Sequence, residues 1–189
     1  MTASSSSYLT SIAFAFGIAA LPIASLAQTS PAPIKIGWLV ALTGPNSSPG
    51  IGFDRGLKYA VDEVNQSGGI KGRKLEIVTR DTQGDPTKAV NAALELINKE
   101  KVDFMVGPTN SGEGLATTPL IARQKIPSMV YGVVDTLIDP EKYPYTFRIL
   151  PANKQWTEAA HNYILKTLKA KNIAIIGDAT GYGLSLIHI

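Results

Sequence analysis

IKIGWLVALTGPNSSPGIGFDRGLKYAVDEVNQSGGIKGRKLEIVTRDTQGDPTKAV, residues 34–90, runs through a strand, a helix, a second strand and the start of a second helix. Ile34 to Leu42 is nearly continuous in apolar residues, as expected of a strand covered on both faces. A loop over Thr43–Gly50 follows. Phe53, Leu57, Ala60, Val61 and Val64 then recur at helical spacing, and Gly68-Gly69 stops that helix. Lys74–Thr79 is the second strand, ending at Arg80-Asp81. Asp85-Pro86 is a helix start, with Asp as N-cap and Pro at the first helical position.

The same alternation continues outward from this stretch. Val90, Ala93, Leu94 and Ile97 are expected to form the apolar stripe of the second helix. Val102–Val106 is a third strand, and the polar loop Thr109-Asn110-Ser111-Gly112 precedes a helix carrying Leu115, Thr118, Pro119 and Ile121. Ser128–Tyr131 and Tyr145–Ile149 are further strands. A helix over Asn153–Lys169, with Trp156, Ala160, Ile164 and Leu168 inward, leads to a strand at Asn172–Ile176 and a loop at Gly177–Gly183. This order argues for an α/β fold, a parallel sheet with helices on both faces.

The amino-terminal segment speaks to compartment. Met1–Ile34 contains no charged side chain, and Ile12–Ala24 is an apolar run of the length of a signal-peptide core, shorter than a membrane-spanning helix. Ser25-Leu26-Ala27 supplies small residues for cleavage after Ala27. Residues 1–27 are therefore expected to be a signal peptide and 28–33 a leader. The expected compartment is the periplasm.

Composition excludes several classes. Of 189 residues, 44% are hydrophobic and 17% charged, which is a globular balance. The net charge of +3 is scattered, with no basic cluster interleaved with aromatics, so nucleic acid is not an expected partner. The absence of cysteine removes disulfides, thiol catalysis and cysteine metal sites. The dinucleotide, phosphate-loop and nucleophile-elbow glycine patterns are missing, so no cofactor and no enzymatic activity are expected. His161 reads as a solvated helix residue. Asp81 and Asp85 read as strand-end and helix-cap carboxylates.

In such a sheet ligands bind beyond the carboxyl ends of the strands. Asn110, Ser111 and Gly112 sit where a helix begins, so free N–H groups and a hydroxyl could hold a carboxylate. Ser111 reads equally as a plain cap. Gly132 permits close backbone approach or a simple turn. Tyr182, between glycines, is placed to stack over a ligand or to sit in a surface turn.

Residues 34–90 as a set, with the glycine-rich GGIKGRKLEIVTRDTQGDP within them, resemble the Leu/Ile/Val-binding protein family. VDFMVGPTNSGEGLATTPLIARQKIPSMV, PYTFRILPANKQWTEAAHNYILK and NIAIIGDATGYG continue the likeness over Ile34–Gly183. The resemblance implies a type I periplasmic-binding fold, with two α/β lobes that close on one ligand. Residues 34–150 would belong to the first lobe and 151–183 to the start of a second, most of which is missing here. The tail Leu184–Ile189, LSLIHI, reads as an appended sequencing artefact resembling a library-tagging transposon end; His188 then carries no meaning.

The resemblance also implies roles. Ser111 would hold the ligand carboxylate, with Asn110 beside it. Gly132 and Val134 fall where main-chain groups, and at the latter a threonine hydroxyl, hold the ligand's polar groups. Tyr182 would cover the ligand. Pro49 falls where an aromatic often lines the pocket. Val134 and Pro49 depart from the amino-acid-binding pattern and argue against leucine-type ligands. The implied protein is a monomeric receptor for a branched-chain amino acid or related small carboxylate or amide, serving an ABC permease in the inner membrane. A ligand-sensing domain of the same fold is the alternative.

Overall fold

Every residue from Trp38 to Ala41 is fully buried, because the first strand, β1 (Ile34–Val40), is covered on both faces. In a computed structural model, which describes residues 31–187, five strands form one parallel sheet. The others are β2 (Leu75–Asp81), β3 (Phe104–Val106), β4 (Ser128–Val130) and β5 (Thr146–Arg148), in the order β2-β1-β3-β4-β5. The expected signal peptide, residues 28–30 of the leader, and His188 and Ile189 lie outside the described residues. No helix among the described residues is long and apolar enough to cross a membrane.

Alternation along the strands splits the core in two. Leu39 and Met105 face Ala93, Leu96 and Ile121 on one side. Trp38, Val40 and Val106 face Phe53 and Leu57 on the other. The helix α1 (Ser47–Gln66) thus covers one face, and α2 (Pro86–Glu95) and α3 (Ser111–Arg123), packed together, cover the opposite face. The chain leaves β1 for β2 in one direction and returns past it to β3 in the other. The loops after β1 and β3 therefore diverge and open a crevice between them.

Local chemistry explains most boundaries. Asp85 accepts a hydrogen bond from Lys88 N at 2.9 Å and caps α2, whose first residue is Pro86. Asp85→Ala is expected to cost about 1 kcal/mol of stability, read as a shift of the urea midpoint at constant slope. Midpoints that coincide would refute the cap's contribution. The loop after β1 is shorter than expected: α1 starts at Ser47, so Pro49 and Gly50 are helical. Proline is tolerated there because a first-turn N–H has no helical acceptor to lose.

Four further sequence expectations need correction. The inward stripe around α2 is Ala89, Ala93 and Leu96, all fully buried, whereas Leu94 is exposed. The helix is rotated so that two small alanines meet the sheet. The helix after Pro151 is α4 (Asn153–Asn162), continued by a π-helical turn at Tyr163–Thr167. Of its four expected inward residues, Trp156, Ala160 and Leu168 are exposed and only Ile164 is half-buried. The expected strand at 172–176 does not form, and Ile176 is fully exposed. A strand needs a neighbour's ladder, and none of the five strands lies beside this segment. The segment Gly177–Gly183 is a loop only to Thr180; α5 (Gly181–Ile187) follows.

Candidate functional site

Beyond the carboxyl ends of β1, β3 and β4 lies a cavity of about 570 Å³. Asn46 and Phe53 line it from the loop after β1 and from α1. Thr109, Asn110, Ser111 and Gly112 line it from the loop after β3 and the start of α3. Tyr131, Gly132 and Val133 come from the loop after β4, Leu150 from the crossing segment, and residues 178–182 from the loop that enters α5, where Gly181 packs against Gly112.

The loop after β1 is held by Asp81. Its Oδ1 accepts from the backbone N–H of Leu42 at 2.9 Å and of Gln83 at 3.0 Å, and its Oδ2 accepts from the Thr43 hydroxyl at 2.6 Å. Burial pushes this carboxyl up, but the hydrogen bonds outweigh it and hold it below its ordinary value. Thr109 ties the next loop in by accepting from Ala41 N at 3.3 Å.

The start of α3 is fixed by its own cap. Asn110 is the N-cap: its Oδ1 accepts from Glu113 N at 2.9 Å, and its Nδ2 donates to Glu113 Oε2 at 2.5 Å. The cap's own carbonyl accepts from Gly114 N. That leaves the N–H groups of Ser111 and Gly112 without an acceptor among the described residues, at the positive end of a 13-residue helix. Ser111 is buried, and its Oγ accepts from Val133 N at 3.2 Å, so its own hydrogen remains to donate.

Val133 links this wall to the crossing segment. Its N–H donates to Ser111, and its carbonyl accepts from Asn153 N at 2.8 Å, in the first turn of α4. Asn153 in turn donates through Nδ2 to Ser185 Oγ on α5. Gly132 approaches the helix start closely. A Cβ there would stand 2.4 Å from Leu137 Cδ1 and 3.1 Å from Ser111 Cα, so only glycine lets the β4 loop seat against α3.

The structure therefore brings Asn110, Ser111, Gly132 and Tyr182 into one lining. The other two candidates lie outside it. Val134 is buried, and its carbonyl accepts from Arg148 Nη1 at 2.9 Å. Pro49 is exposed on the first turn of α1. His161 is exposed on α4, and no cluster of three potential metal ligands occurs among the described residues.

Sequence reasoning singles out neither Phe53 nor Tyr131 as a site residue, although Tyr131 opens the strand-end loop Tyr131–Val134. Phe53 was counted with the apolar stripe of α1, and Tyr131 with the strand end. The signal was positional: Tyr131 directly follows β4, and Phe53 lies on the second turn of α1, the helix that follows β1. Their rings are 4.3 Å apart at 39°, and Tyr131 also meets Trp38 at 5.8 Å. Burial pushes the Tyr131 phenol above its ordinary value.

It also missed Glu113, which is fully buried behind the cap. Burial raises its carboxyl to about 7, although the Thr82 hydroxyl beside it acts in the opposite sense. Glu113 Oε1 and Thr82 Oγ1 both lack a completed hydrogen bond among the described residues.

Comparison with known proteins agrees with this architecture. A Leu/Ile/Val-binding protein of Rhizobium johnstonii, BraC3, is 33% identical over 171 residues, covering 89% of this chain and 45% of its own length. LivJ of Streptococcus pneumoniae, a branched-chain amino acid transporter substrate-binding protein solved with isoleucine, superposes with TM-score 0.76 at 26% identity, over 82% of this chain and 45% of that one. A Rhodopseudomonas palustris ABC-transporter solute-binding protein solved with 4-hydroxybenzoate gives TM-score 0.71 at 27% identity, over 84% and 42%. The chain thus spans a little under half the length of these relatives. The fold is that of a type I periplasmic binding protein, in the part these structures share with it. Residues 33–188 match the description of one family along nearly the whole of the described chain, and the chain belongs to the periplasmic binding protein family.

Proposed function

We propose that the protein is an exported, non-enzymatic solute receptor for an ABC importer, and that it holds a small carboxylate in the cavity at the start of α3. The supporting observation is the pair of unengaged N–H groups on Ser111 and Gly112, joined by a buried hydroxyl that retains its donor hydrogen. Such an N-terminus favours an anion without any cationic side chain, and the described lining contains no Lys or Arg. The names of the relatives, Leu/Ile/Val-binding and amino acid binding, favour an amino acid or a related carboxylate. Signal-peptide cleavage after Ala27, a monomeric receptor and an inner-membrane permease as partner complete the proposal.

The mechanism follows from the two walls. A ligand that touches Ser111 on one side and Tyr182 on the other stabilises only the closed arrangement, so it shifts the population toward closure. The Val133 peptide, bonded to both Ser111 and Asn153, would carry that closure to the crossing segment. Ser111→Ala in the full-length protein is expected to weaken carboxylate binding by about 1–2 kcal/mol, or roughly 5- to 30-fold, through loss of one charge-assisted hydrogen bond. Calorimetric titration with a panel of amino acids and small carboxylates measures it. An unchanged dissociation constant would remove Ser111 from the site.

A further inference from the structure

We infer that the carboxylate this site takes carries a planar aromatic or conjugated group, such as a benzoate; the inference rests on the carboxylate-binding reading above. Three observations carry it. Phe53 and Tyr131 form a tilted ring pair on the wall of the cavity, 4.3 Å between centroids, and neither is fully buried. This pair adjoins the anion position. Tyr131 is followed directly by Gly132, which packs on Ser111, and by Val133, whose N–H donates to Ser111 Oγ. A carboxylate at Ser111 and Gly112 therefore leaves the body of a compact ligand against the two rings. Tyr182, 47% exposed, lines the same cavity next to Gly181, which packs against Gly112, and supplies a third ring.

The only charged side chain among the described lining residues is Asp178. Its Oδ1 already accepts from both the N–H and the hydroxyl of Thr180. The lining thus offers an anion handle and an aromatic surface. Ring faces reward a ligand ring beyond its area alone, because edge and face potentials are complementary. Trp38 backs Tyr131 from the core at 5.8 Å, so the pair is held in place before a ligand arrives.

The test is calorimetric titration of the full-length protein with benzoate, cyclohexanecarboxylate and L-leucine. Benzoate and cyclohexanecarboxylate share size and charge and differ in the π face. Benzoate is expected to bind at least about fivefold more tightly than cyclohexanecarboxylate. In Phe53→Leu that ratio, read within the variant so that a weakening shared by both ligands cancels, should fall to within about twofold. Equal affinities in the wild-type protein, or leucine tighter than benzoate, would overturn the aromatic assignment and leave the carboxylate reading standing. If none of the three binds, nor any other carboxylate, to protein whose thermal transition shows it folded, the carboxylate reading falls and this inference falls with it. The wild-type ratio decides the question even if Phe53→Leu does not fold.

Discussion

Trp38→Ala is expected to remove about 3–5 kcal/mol of stability, a large share of what a domain of this kind possesses. Trp38 is fully buried in the middle of β1, paired with Thr79 on one side and Val106 on the other. Its ring packs with Val40 and Val106 under Phe53 and Leu57, so truncation opens a cavity that backbone on both sides cannot fill. Its Nε1 also donates to Asp54 Oδ1 at 3.1 Å. Asp54 keeps a second partner, Lys58 Nζ at 2.8 Å, so losing the indole does not leave an uncompensated charge. The cavity is therefore the larger part of the cost. Trp38→Phe separates the two, since it keeps most of the volume and loses the donor; about 1–2 kcal/mol is expected. Urea unfolding followed by far-UV circular dichroism measures both. A Trp38→Ala loss below about 1 kcal/mol would mean that the sheet face under α1 is not packed as described.

The parts legible in the sequence were those set by local chemistry. β1 follows from its apolar run, and the start of α2 from Asp85-Pro86, because a strand's two-sided burial and a helix cap are written in adjacent residues. Asn110, Ser111 and Gly132 share one lining because strand-end loops in a parallel sheet converge whatever their composition, whereas Tyr182 joins them from a segment whose expected strand does not form. What failed depended on a neighbour. Trp156 and Leu168 have helical spacing, but spacing marks a face without saying what lies against it, and here that face meets solvent. The run at 172–176 has the composition of a strand and no ladder beside it. Phe53 shows the subtler limit: at the amino end of α1 the core face and the cavity face are the same face, so periodicity cannot divide them. Glu113 was overlooked because a first-turn acid ordinarily points to water. The Asn110-x-x-Glu113 spacing was nevertheless a cap signal, and reading it would have drawn the carboxyl inward.

That inward carboxyl gives the second large effect: Glu113→Gln is expected to stabilise the protein above neutral pH and to flatten its pH dependence. Glu113 is fully buried, faces Thr82 and Asn110, and feels the negative charges of Asp85 and Asp81. Burial, the largest influence, raises its carboxyl from 4.5 to about 7 in the folded protein. Between these values the folded state holds a proton that the unfolded state has lost. Stability contributed by this group is therefore fully present below about pH 4.5 and declines as pH rises to about 7, by up to about 3 kcal/mol. Asp81 acts in the opposite sense and in a lower window: its lowered value means stability lost as pH falls below the ordinary carboxylate range. Glutamine preserves the acceptor for Asn110 Nδ2, and its own amide can donate to the orphaned Thr82 Oγ1. The difference between variant and wild type should thus be small at pH 4.5 and grow steadily to pH 8, measured by urea unfolding at each pH. Parallel curves across that range would show that Glu113 ionises as readily in the folded chain as in the unfolded one, and that the start of α3 is open to water.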